Sequence, residues 1–238
     1  MIEDLRALLL RGGITLSAQA EEKIEAYHRL LLEWNEHMDL TNVPEEKMAL
    51  RHYADSLLPL SRTEWFPQNA SLIDVGTGAG FPGMPLAIAR PDLRVTLLDA
   101  QRKRCDFLTA VRDALNLSNV EILHARAEDG ARGSMREQMD IAVARAVAPL
   151  NVLSEYLLPY VRVGGRMLCW KGPAVREETA AGERAIGILG GKAEGLYRLP
   201  IEGREHYVHS TVKVQSTAKR YPRKSGTPSK DPLGNKNP

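Results

Sequence analysis

The stretch LIDVGTGAGFPG, Leu72–Gly83, decides how the rest of this chain is interpreted. Its glycines satisfy two overlapping patterns, G-x-G-x-G beginning at Gly76 and the dinucleotide-type G-x-G-x-x-G beginning at Gly78. Leu72–Val75 has the composition of a strand, and Pro82 suits the first turn of a following helix. A strand, a glycine turn and a helix N-terminus together predict a site for a nucleotide-like ligand.

Beyond this loop the chain alternates between strand-like and helix-like segments. Five short runs have the composition of strands: Leu72–Val75, Val95–Asp99, Val120–His124, Ile141–Ala144 and Arg166–Trp170. Three helix-like stretches lie between them: Pro82–Arg90, Lys103–Leu115 and Leu150–Tyr160. This alternation predicts βαβ units on a parallel sheet. Two later runs, Ala193–Leu199 and His206–Val214, are separated by a turn at Glu202–Gly203 and are expected to pair as an antiparallel edge hairpin.

The first 60 residues have a helical pattern instead. Ser17 is a suitable N-cap, and apolar residues at spacings of three and four follow it on one helix face: Ile24, Tyr27, Leu31, Trp34 and Met38. A second helix is predicted from about Glu45 to Leu58, ending before Pro59. We therefore expect residues 1–60 to form a helical extension packed on an α/β domain of residues 61–215.

The remaining residues, 216–238, form a basic tail. They contain one acid, Asp231, and six basic residues: Lys219, Arg220, Arg223, Lys224, Lys230 and Lys236. The tail therefore carries a charge of +5, whereas the whole chain carries +2. Such an arm suggests a polyanionic partner such as RNA, although a merely solvated tail has the same composition. Four prolines and few apolar residues predict an extended or disordered segment.

Composition excludes several other classes of protein. The only cysteines are Cys105 and Cys169, so neither a disulfide framework nor a metal cluster is expected. Glu3 and Asp4 precede the first apolar run, which is the wrong charge order for a signal peptide. No apolar run approaches the length of a membrane span. We expect a cytoplasmic protein that does not enter a membrane.

Acidic residues at strand ends help to identify the ligand. Asp74 precedes Gly76 by two residues, a position where methyltransferases often carry an acid and dinucleotide folds usually carry an apolar residue. Asp99 ends the second strand, where a carboxylate can accept hydrogen bonds from ribose hydroxyls. Glu128 and Asp129 follow the third strand, where methyltransferases commonly contact adenine. These acids favour S-adenosylmethionine (SAM) over a dinucleotide; the alternative is that they only cap helices.

Longer stretches of the chain resemble one family. LIDVGTGAGFPGMPLAI, RPDLRVTLLDA and KRCDFL, followed by ARAVAPL, CWKGP and KRYPRKSGTPSKDPL, are similar to the RsmG (GidB) family of 16S ribosomal RNA guanine-N7 methyltransferases. The resemblance extends over nearly the whole chain. It implies a Rossmann-like class I SAM-dependent methyltransferase fold with a mostly parallel seven-stranded sheet, an antiparallel edge strand and the N-terminal helical extension.

The resemblance also implies ligands and partners. SAM would be the cofactor and S-adenosylhomocysteine (SAH) the product. The substrate would be 16S ribosomal RNA or the small ribosomal subunit, and the enzyme would act as a cytoplasmic monomer. In the family the SAM contacts fall on the positions of Gly76, Phe81, Ala127, Glu128 and Arg145. With the residues inferred above, the predicted cofactor site comprises Asp74, Gly76, Gly78, Phe81, Asp99, Ala127, Glu128 and Arg145.

The reaction implied by the resemblance needs little acid–base machinery. Guanine N7 carries an in-plane lone pair and no proton, so in-line displacement at the sulfonium methyl requires no general base. Arg145, at the end of the fourth predicted strand, is the predicted catalytic residue linking cofactor and guanine; a structural salt bridge is its alternative. The candidate RNA contacts are Arg51, His52, Lys171, Arg220, Arg223 and Lys224.

Three other functions remain open on the residues alone. They are an NAD(P)-dependent oxidoreductase that uses G-x-G-x-x-G, a non-catalytic RNA-binding assembly factor and a small-molecule methyltransferase. The preferred interpretation uses the first glycine pattern, in which Gly76, Gly78 and Gly80 hold the amino-acid end of SAM. Gly83 is then expected to allow close packing of the helix on the sheet rather than to contact phosphate.

Overall fold

A computed structural model describes residues 1–145, 148–201, 203 and 205–235 of the chain. Three of the predictions above concern residues outside these ranges. Ala146 of the ARAVAPL motif, Glu202 of the predicted turn and Lys236 of the tail lie outside the described residues.

One sheet organises the described part of the chain. Its strands are β1 (Ser71–Val75), β2 (Arg94–Asp99), β3 (Val120–His124), β4 (Met139–Arg145), β5 (Val161–Lys171), β6 (Gly191–Arg198) and β7 (Tyr207–Lys213). Their order in the sheet is β3-β2-β1-β4-β5-β7-β6. The first five strands pair in parallel, and β7 pairs antiparallel with both β5 and β6. The predicted mostly parallel seven-stranded sheet and its late hairpin are confirmed; the antiparallel strand lies one position inside the edge.

The strand order creates the crevice in which a ligand can bind. The chain passes from β1 to β2 and β3 on one side, then returns to β4 on the other side of β1. The connections that leave β1 and β4 therefore diverge, which opens a cleft at their carboxyl ends. Both strands are buried along most of their length, as expected for central parallel strands covered on both faces.

Helices cover both faces of the sheet. Those that follow strands are α5 (Gly83–Ala89), α6 (Arg102–Ala114), α7 (Ala127–Gly130), α8 (Leu150–Leu157) and α9 (Val175–Ile188), and they come after four N-terminal helices described below. Helix α9 has no counterpart among the predictions, because its glycines and charged residues weaken the helical pattern. Its Gly182 allows contact with α8, since a Cβ there would come within 2.5 Å of Leu150 Cδ2.

The N-terminal layer contains α1 (Ile2–Arg11), α2 (Ala18–Asn35), α3 (Glu45–Met48) and α4 (Asp55–Leu57). Ser17 caps α2 as predicted, with its Oγ accepting a hydrogen bond from the Ala20 amide at 3.2 Å. The predicted second helix is present but irregular, because a π-helical stretch, Ala49–Ala54, separates α3 from α4. A 3₁₀ turn, Leu58–Ser61, then carries the chain through Pro59, beyond the predicted end.

The core consists of two apolar clusters. One joins the N-terminal helices to α5, α6 and the sheet, and includes Leu5, Ile24, Tyr27 and Phe107. The other joins α8, α9 and the sheet. Since the first cluster crosses the boundary at residue 60, the division into an extension and an α/β domain stays a prediction. Among the described residues, no helix is both long and apolar enough to cross a membrane.

The prediction that the tail is extended or disordered is wrong for its described part, residues 216–235. Tyr221 and Pro228 are buried, and Tyr221 belongs to the second apolar cluster. A short helix, α10 (Thr227–Lys230), follows. Prolines and charges suggested solvation, but the Arg136 guanidinium donates to the carbonyls of Tyr221 and Thr217, each at 2.7 Å. Main-chain carbonyls of the tail that water would otherwise hydrogen-bond are therefore hydrogen-bonded by the protein itself.

Substitution of Gly83 by alanine tests the close packing of α5 on the sheet. A Cβ at this position would come within 2.4 Å of Leu97 Cδ2 and 2.8 Å of Asp74 Cβ. Gly83→Ala should therefore lower the free energy of unfolding by about 1–3 kcal/mol, measured by urea denaturation. Gly187→Ala in α9 is the matched control, because a Cβ there meets nothing within 4 Å; it should stabilise by about 0.5–1 kcal/mol. Equal stability of Gly83→Ala and the wild type would contradict this packing.

Candidate active site

The Asp74 carboxylate closes the glycine loop. Asp74 is fully buried at the end of β1, and its Oδ2 accepts hydrogen bonds from the Thr77 hydroxyl at 2.6 Å and the Gly83 amide at 2.8 Å. Between Asp74 and Gly83 the backbone turns through three glycines with positive φ: 71° at Gly76, 62° at Gly78 and 100° at Gly80. Other residues rarely adopt this conformation, so the glycines are needed for the turn.

The three later glycines of the motif differ in what they face. A Cβ at Gly78 would meet nothing within 4 Å, so this side of the loop is open to a ligand. A Cβ at Gly80 would come within 2.7 Å of the Tyr27 hydroxyl, and Gly83 lies against β2, as described above. The expected packing role of Gly83 is confirmed. The last glycine of a dinucleotide fingerprint has the same packing role, so Gly83 alone does not separate the two ligands.

Helix α2 supports the outer side of the loop. The Tyr27 hydroxyl donates a hydrogen bond to the Ala79 carbonyl, and the Tyr27 ring lies 5.4 Å from that of Phe81. Burial raises the pKa of Tyr27 well above its usual value, which keeps this donor protonated. The sequence pattern places Tyr27 on an apolar helix face but does not predict its hydrogen bond to the loop. Its spacing is the same as that of the other residues of that face.

Asp99 lies where the predicted ribose contact requires. It is 3% exposed at the end of β2. Its Oδ2 accepts from the Gly78 amide at 2.9 Å and its Oδ1 from the Gln101 amide at 2.8 Å. Each carboxylate oxygen has a second lone pair, so both can also accept a hydrogen bond from a ribose hydroxyl. Asp99 thus connects the second strand end to the open glycine of the loop.

Glu128 and Ala127 follow β3 at the same edge of the sheet. Glu128 is 4% exposed, and its Oε1 accepts a hydrogen bond from the Gly226 amide at 2.8 Å. Within the described residues, no group donates to Glu128 Oε2. The Tyr160 hydroxyl donates to the Ala127 carbonyl at 2.6 Å. The tail therefore borders Glu128, the residue predicted to contact adenine. Nothing in the sequence pattern predicts this contact between Gly226 and Glu128.

Arg145 ends β4 and is held by the N-terminal layer. Its Nη1 donates to the Arg51 carbonyl at 2.8 Å and to Asp55 Oδ2 at 3.2 Å, and its Nη2 lies 3.1 Å from His52 Nδ1. The guanidinium carbon lies 5.0 Å from the centre of the Phe81 ring. The salt bridge given as the alternative is present. It still leaves one Nη2 proton and the Nε proton without an acceptor in the described part of the chain.

His52 is a member of this network. Its ring stacks on Phe81 with centroids 4.4 Å apart, and its Nε2 lies 2.7 Å from the Thr41 hydroxyl. Burial and the Arg145 charge lower the pKa of His52 to about 3, so it is neutral near pH 7. Since Nδ1 accepts from Arg145, the proton resides on Nε2 and is donated to Thr41. At 7% exposure, His52 fits the packing alternative better than direct contact with RNA.

Asp55, part of the N-terminal pattern that resembles the family, and His206, at the start of a predicted strand, were not predicted to belong to the site. Asp55 is fully buried; its Oδ1 is hydrogen-bonded to His206 Nδ1, and its carbonyl accepts from Trp170 Nε1 at 2.8 Å. Through Asp55, the start of α4 joins Arg145 on β4, Trp170 on β5 and the residue before β7. Asp55 thus fixes the Arg145 side chain against three strands of the sheet.

Two of the candidate RNA contacts, Lys171 and Arg223, form ion pairs within the protein. Lys171 does end β5, but its Nζ lies 2.6 Å from Glu178 Oε2 and donates to the Ala148 carbonyl at 2.9 Å. Arg223 pairs with the fully buried Glu155 carboxylate through both Nε and Nη2. Both cations are paired within the protein, which disfavours contact with phosphate, and their contacts with RNA stay predictions. Arg51, Arg220 and Lys224 are exposed, and their contacts with RNA stay predictions.

Comparison with known proteins identifies close relatives. Residues 20–206 match the family model GidB, described as rRNA small subunit methyltransferase G. The ribosomal RNA small subunit methyltransferase G of Leuconostoc mesenteroides is 45% identical over 236 residues, which cover 97% of this chain and 98% of the relative. The Clostridium beijerinckii protein of the same name is 47% identical over 225 residues, covering 93% and 94%.

Solved structures share the fold at low identity. A 16S rRNA (adenine(1408)-N(1))-methyltransferase from Catenulisporales acidiphilia matches with a TM-score of 0.53 and 17% identity, over 66% of this chain and 91% of that one. M. jannaschii TYW2 in complex with AdoMet matches with a TM-score of 0.52 and 13% identity, over 67% and 77%. These likenesses show a class I SAM-dependent methyltransferase fold.

The buried Asp74 predicts an unusual dependence of stability on pH. Burial raises its pKa from 3.8 to about 6. Between these values the native state holds the proton while the unfolded chain has lost it, so the free energy of unfolding falls as pH rises. Relative to Asp74→Asn, the wild type should lose about 2–2.5 kcal/mol between pH 4 and pH 7.

Urea denaturation of both proteins across this range measures that difference. Asp92→Asn is the control, because hydrogen bonding to Arg90 lowers the pKa of Asp92 to about 2. Its contribution is lost only as pH falls below about 4. A constant stability difference between the wild type and Asp74→Asn from pH 4 to pH 7 would show that Asp74 does not titrate as described.

The structural role of Arg223 can be separated from RNA binding by comparison with Arg220. Arg223→Met leaves the fully buried Glu155 carboxylate without its cation, which should cost about 3–5 kcal/mol of stability. Arg220 is exposed, with its guanidinium 5.1 Å from the Tyr221 ring; Arg220→Met should cost about 0.5–1 kcal/mol. Urea unfolding curves of both variants, recorded without RNA, give the comparison. Equal stability of the two variants would contradict the structural role of Arg223 and would indicate that its guanidinium is free at the surface.

Proposed function

The chain belongs to the rRNA small subunit methyltransferase G family, and we propose that it methylates N7 of a guanine in 16S ribosomal RNA. The observation that carries the proposal is the position of Arg145. It lies at the carboxyl edge beside the cofactor loop, is held from one side by the N-terminal layer, and has two N–H groups without an acceptor among the described residues.

The residues at this edge fit SAM. Gly78 leaves room beside the loop. Asp99 can accept hydrogen bonds from the ribose hydroxyls, and Glu128 Oε2 can accept one from the adenine amine. The Arg145 guanidinium lies over the Phe81 ring, which directly follows the three glycines of the loop. Bound in this way, SAM would supply an electrophilic methyl group on its sulfonium. The chain's own contribution is to bind, orient and exclude water.

Guanine N7 suits this site because its methylation needs no base. His52 has both ring nitrogens in hydrogen bonds, and both Asp55 oxygens are paired. Asp74 lies buried behind the loop. None of these three groups is available to remove a proton from a substrate. An exocyclic amine or a hydroxyl would require such a group, whereas the N7 lone pair can attack directly.

Arg145 can select guanine through O6. An arginine often binds guanine through both O6 and N7, but a donor on N7 would occupy the lone pair that must attack. We infer that a free Arg145 donor binds O6 and leaves N7 uncovered. A hydrogen bond to O6 would also orient the base so that the N7 lone pair is in line with the sulfonium methyl group.

We propose small-subunit ribosomal RNA, free or assembled, as the partner of the exposed basic residues around this edge. Arg51 lies beside the Arg145 network, and Arg220 and Lys224 lie on the tail near Glu128. Their contacts would be with phosphates, which position the RNA without reading its sequence. We also propose that the protein acts as a cytoplasmic monomer, as its resemblance to the family implies.

The test is methyl transfer from labelled SAM to protein-free 16S RNA or intact 30S particles, with the product mapped to a nucleotide and atom. The wild type should label N7 of one guanine. Arg145→Ala should lower kcat/KM by about 10²–10³-fold, as for the loss of an oriented donor at a reacting group. Arg112→Ala, near the far end of α6, is the control and should retain activity.

Two results would contradict the proposal. SAM binding without label in either RNA would indicate a binding factor rather than an enzyme. Full activity of Arg145→Ala would remove Arg145 from the reaction.

A further inference from the structure

The described part of the tail, residues 216–235, is fixed along the protein by its main chain. Arg136 binds the carbonyls of Thr217 and Tyr221. Farther along, Asn151 Nδ2 donates to the Leu233 carbonyl at 2.9 Å, and Arg184 Nε donates to the Gly234 carbonyl at 2.7 Å. The donors come from α8, from α9 and from the loop after α7. The tail therefore has a defined path across one side of the cofactor edge.

A buried ion pair anchors the centre of this path. Glu155 lies on α8 with its side chain fully buried. Its Oε1 accepts from the Arg223 amide at 2.7 Å, and its Oε2 lies 2.7 Å from Arg223 Nη2. Removal of a partner from such a pair leaves an uncompensated buried charge. Arg223 thus fixes the backbone three residues before Gly226.

Gly226 brings the tail into contact with Glu128. Its φ of 80° turns the chain into α10, and the turn is closed by hydrogen bonds from the Thr227 amide to the Lys224 carbonyl at 2.9 Å and from Ser229 Oγ to the Gly226 carbonyl at 3.1 Å. The Gly226 amide is thereby directed at Glu128 Oε1. One carboxylate oxygen is held by the tail, and the other has no donor among the described residues.

We propose that residues 216–235 form a wall of the cofactor site and that Gly226 is its positioning residue. The inference rests on the proposed function, in which Glu128 contacts adenine. The Gly226 amide fixes the rotation of the Glu128 carboxylate, so that Oε2 is presented to the exocyclic amine of the nucleoside. Without this contact the side chain must be ordered on binding, which weakens affinity for the ligand. The tail therefore takes part in cofactor binding before any RNA is present.

Calorimetric titration with SAH in the absence of RNA tests the inference. Gly226→Val places a β-branched residue at positive φ and should displace the amide, weakening SAH binding about tenfold. Gly13→Val is the matched control: its φ is 72°, and a Cβ meets nothing within 4 Å at either glycine. It imposes the same backbone strain far from Glu128 and should bind SAH like the wild type. Gly226→Asn, which tolerates positive φ, should restore wild-type affinity.

A second measurement uses only the wild type and so does not depend on the folding of a variant. Addition of SAH should slow hydrogen–deuterium exchange at the Gly226 amide, although this residue lies 98 positions from Glu128 in sequence. Equal SAH affinity in Gly226→Val and Gly13→Val, or no change in exchange at Gly226, would overturn the inference. Failure of the wild type to bind SAH would overturn the proposed function, and the inference with it.

Discussion

The Asp74 carboxylate is the contact on which the cofactor edge depends. One of its oxygens holds the Thr77 hydroxyl and the Gly83 amide, and so fixes both ends of the turn that carries Gly78 past the end of β2. The other oxygen is buried without a partner among the described residues. This arrangement is costly, since burial raises the pKa of the group to about 6. In return, the loop is held in one conformation, in which Gly78 is open to a ligand and its amide donates a hydrogen bond to Asp99.

A second set of contacts joins the N-terminal layer to the reacting edge. Tyr27 supports the loop, while the π-helical stretch turns the Arg51 carbonyl and the His52 ring toward Arg145. A π-helical turn frequently marks a functional position. Here a carbonyl of this stretch, that of Arg51, accepts a hydrogen bond from Arg145. The helical layer therefore orients the residue proposed to select the guanine, in addition to covering the sheet.

The sequence predicted those parts of the site that lie at strand ends. Parallel strands bring their carboxyl ends together, so the positions of Asp99, Glu128 and Arg145 follow once the strands are located. Contacts between segments far apart in sequence could not be predicted in this way. Asp55 meets His206 across 151 positions. Composition was misleading for the tail, whose prolines and charges suggested solvation although buried acids and arginine donors fix it to the protein.

The central claim is that acids after successive strands bind one nucleoside, with Glu128 held in place by the tail. A crystal structure of the protein with SAH tests it most directly. The ribose hydroxyls should lie on Asp99, the adenine amine on Glu128 Oε2, and the Gly226 amide should remain on Oε1. Binding of SAH elsewhere, or displacement of Gly226 from Glu128 in the complex, would contradict the account.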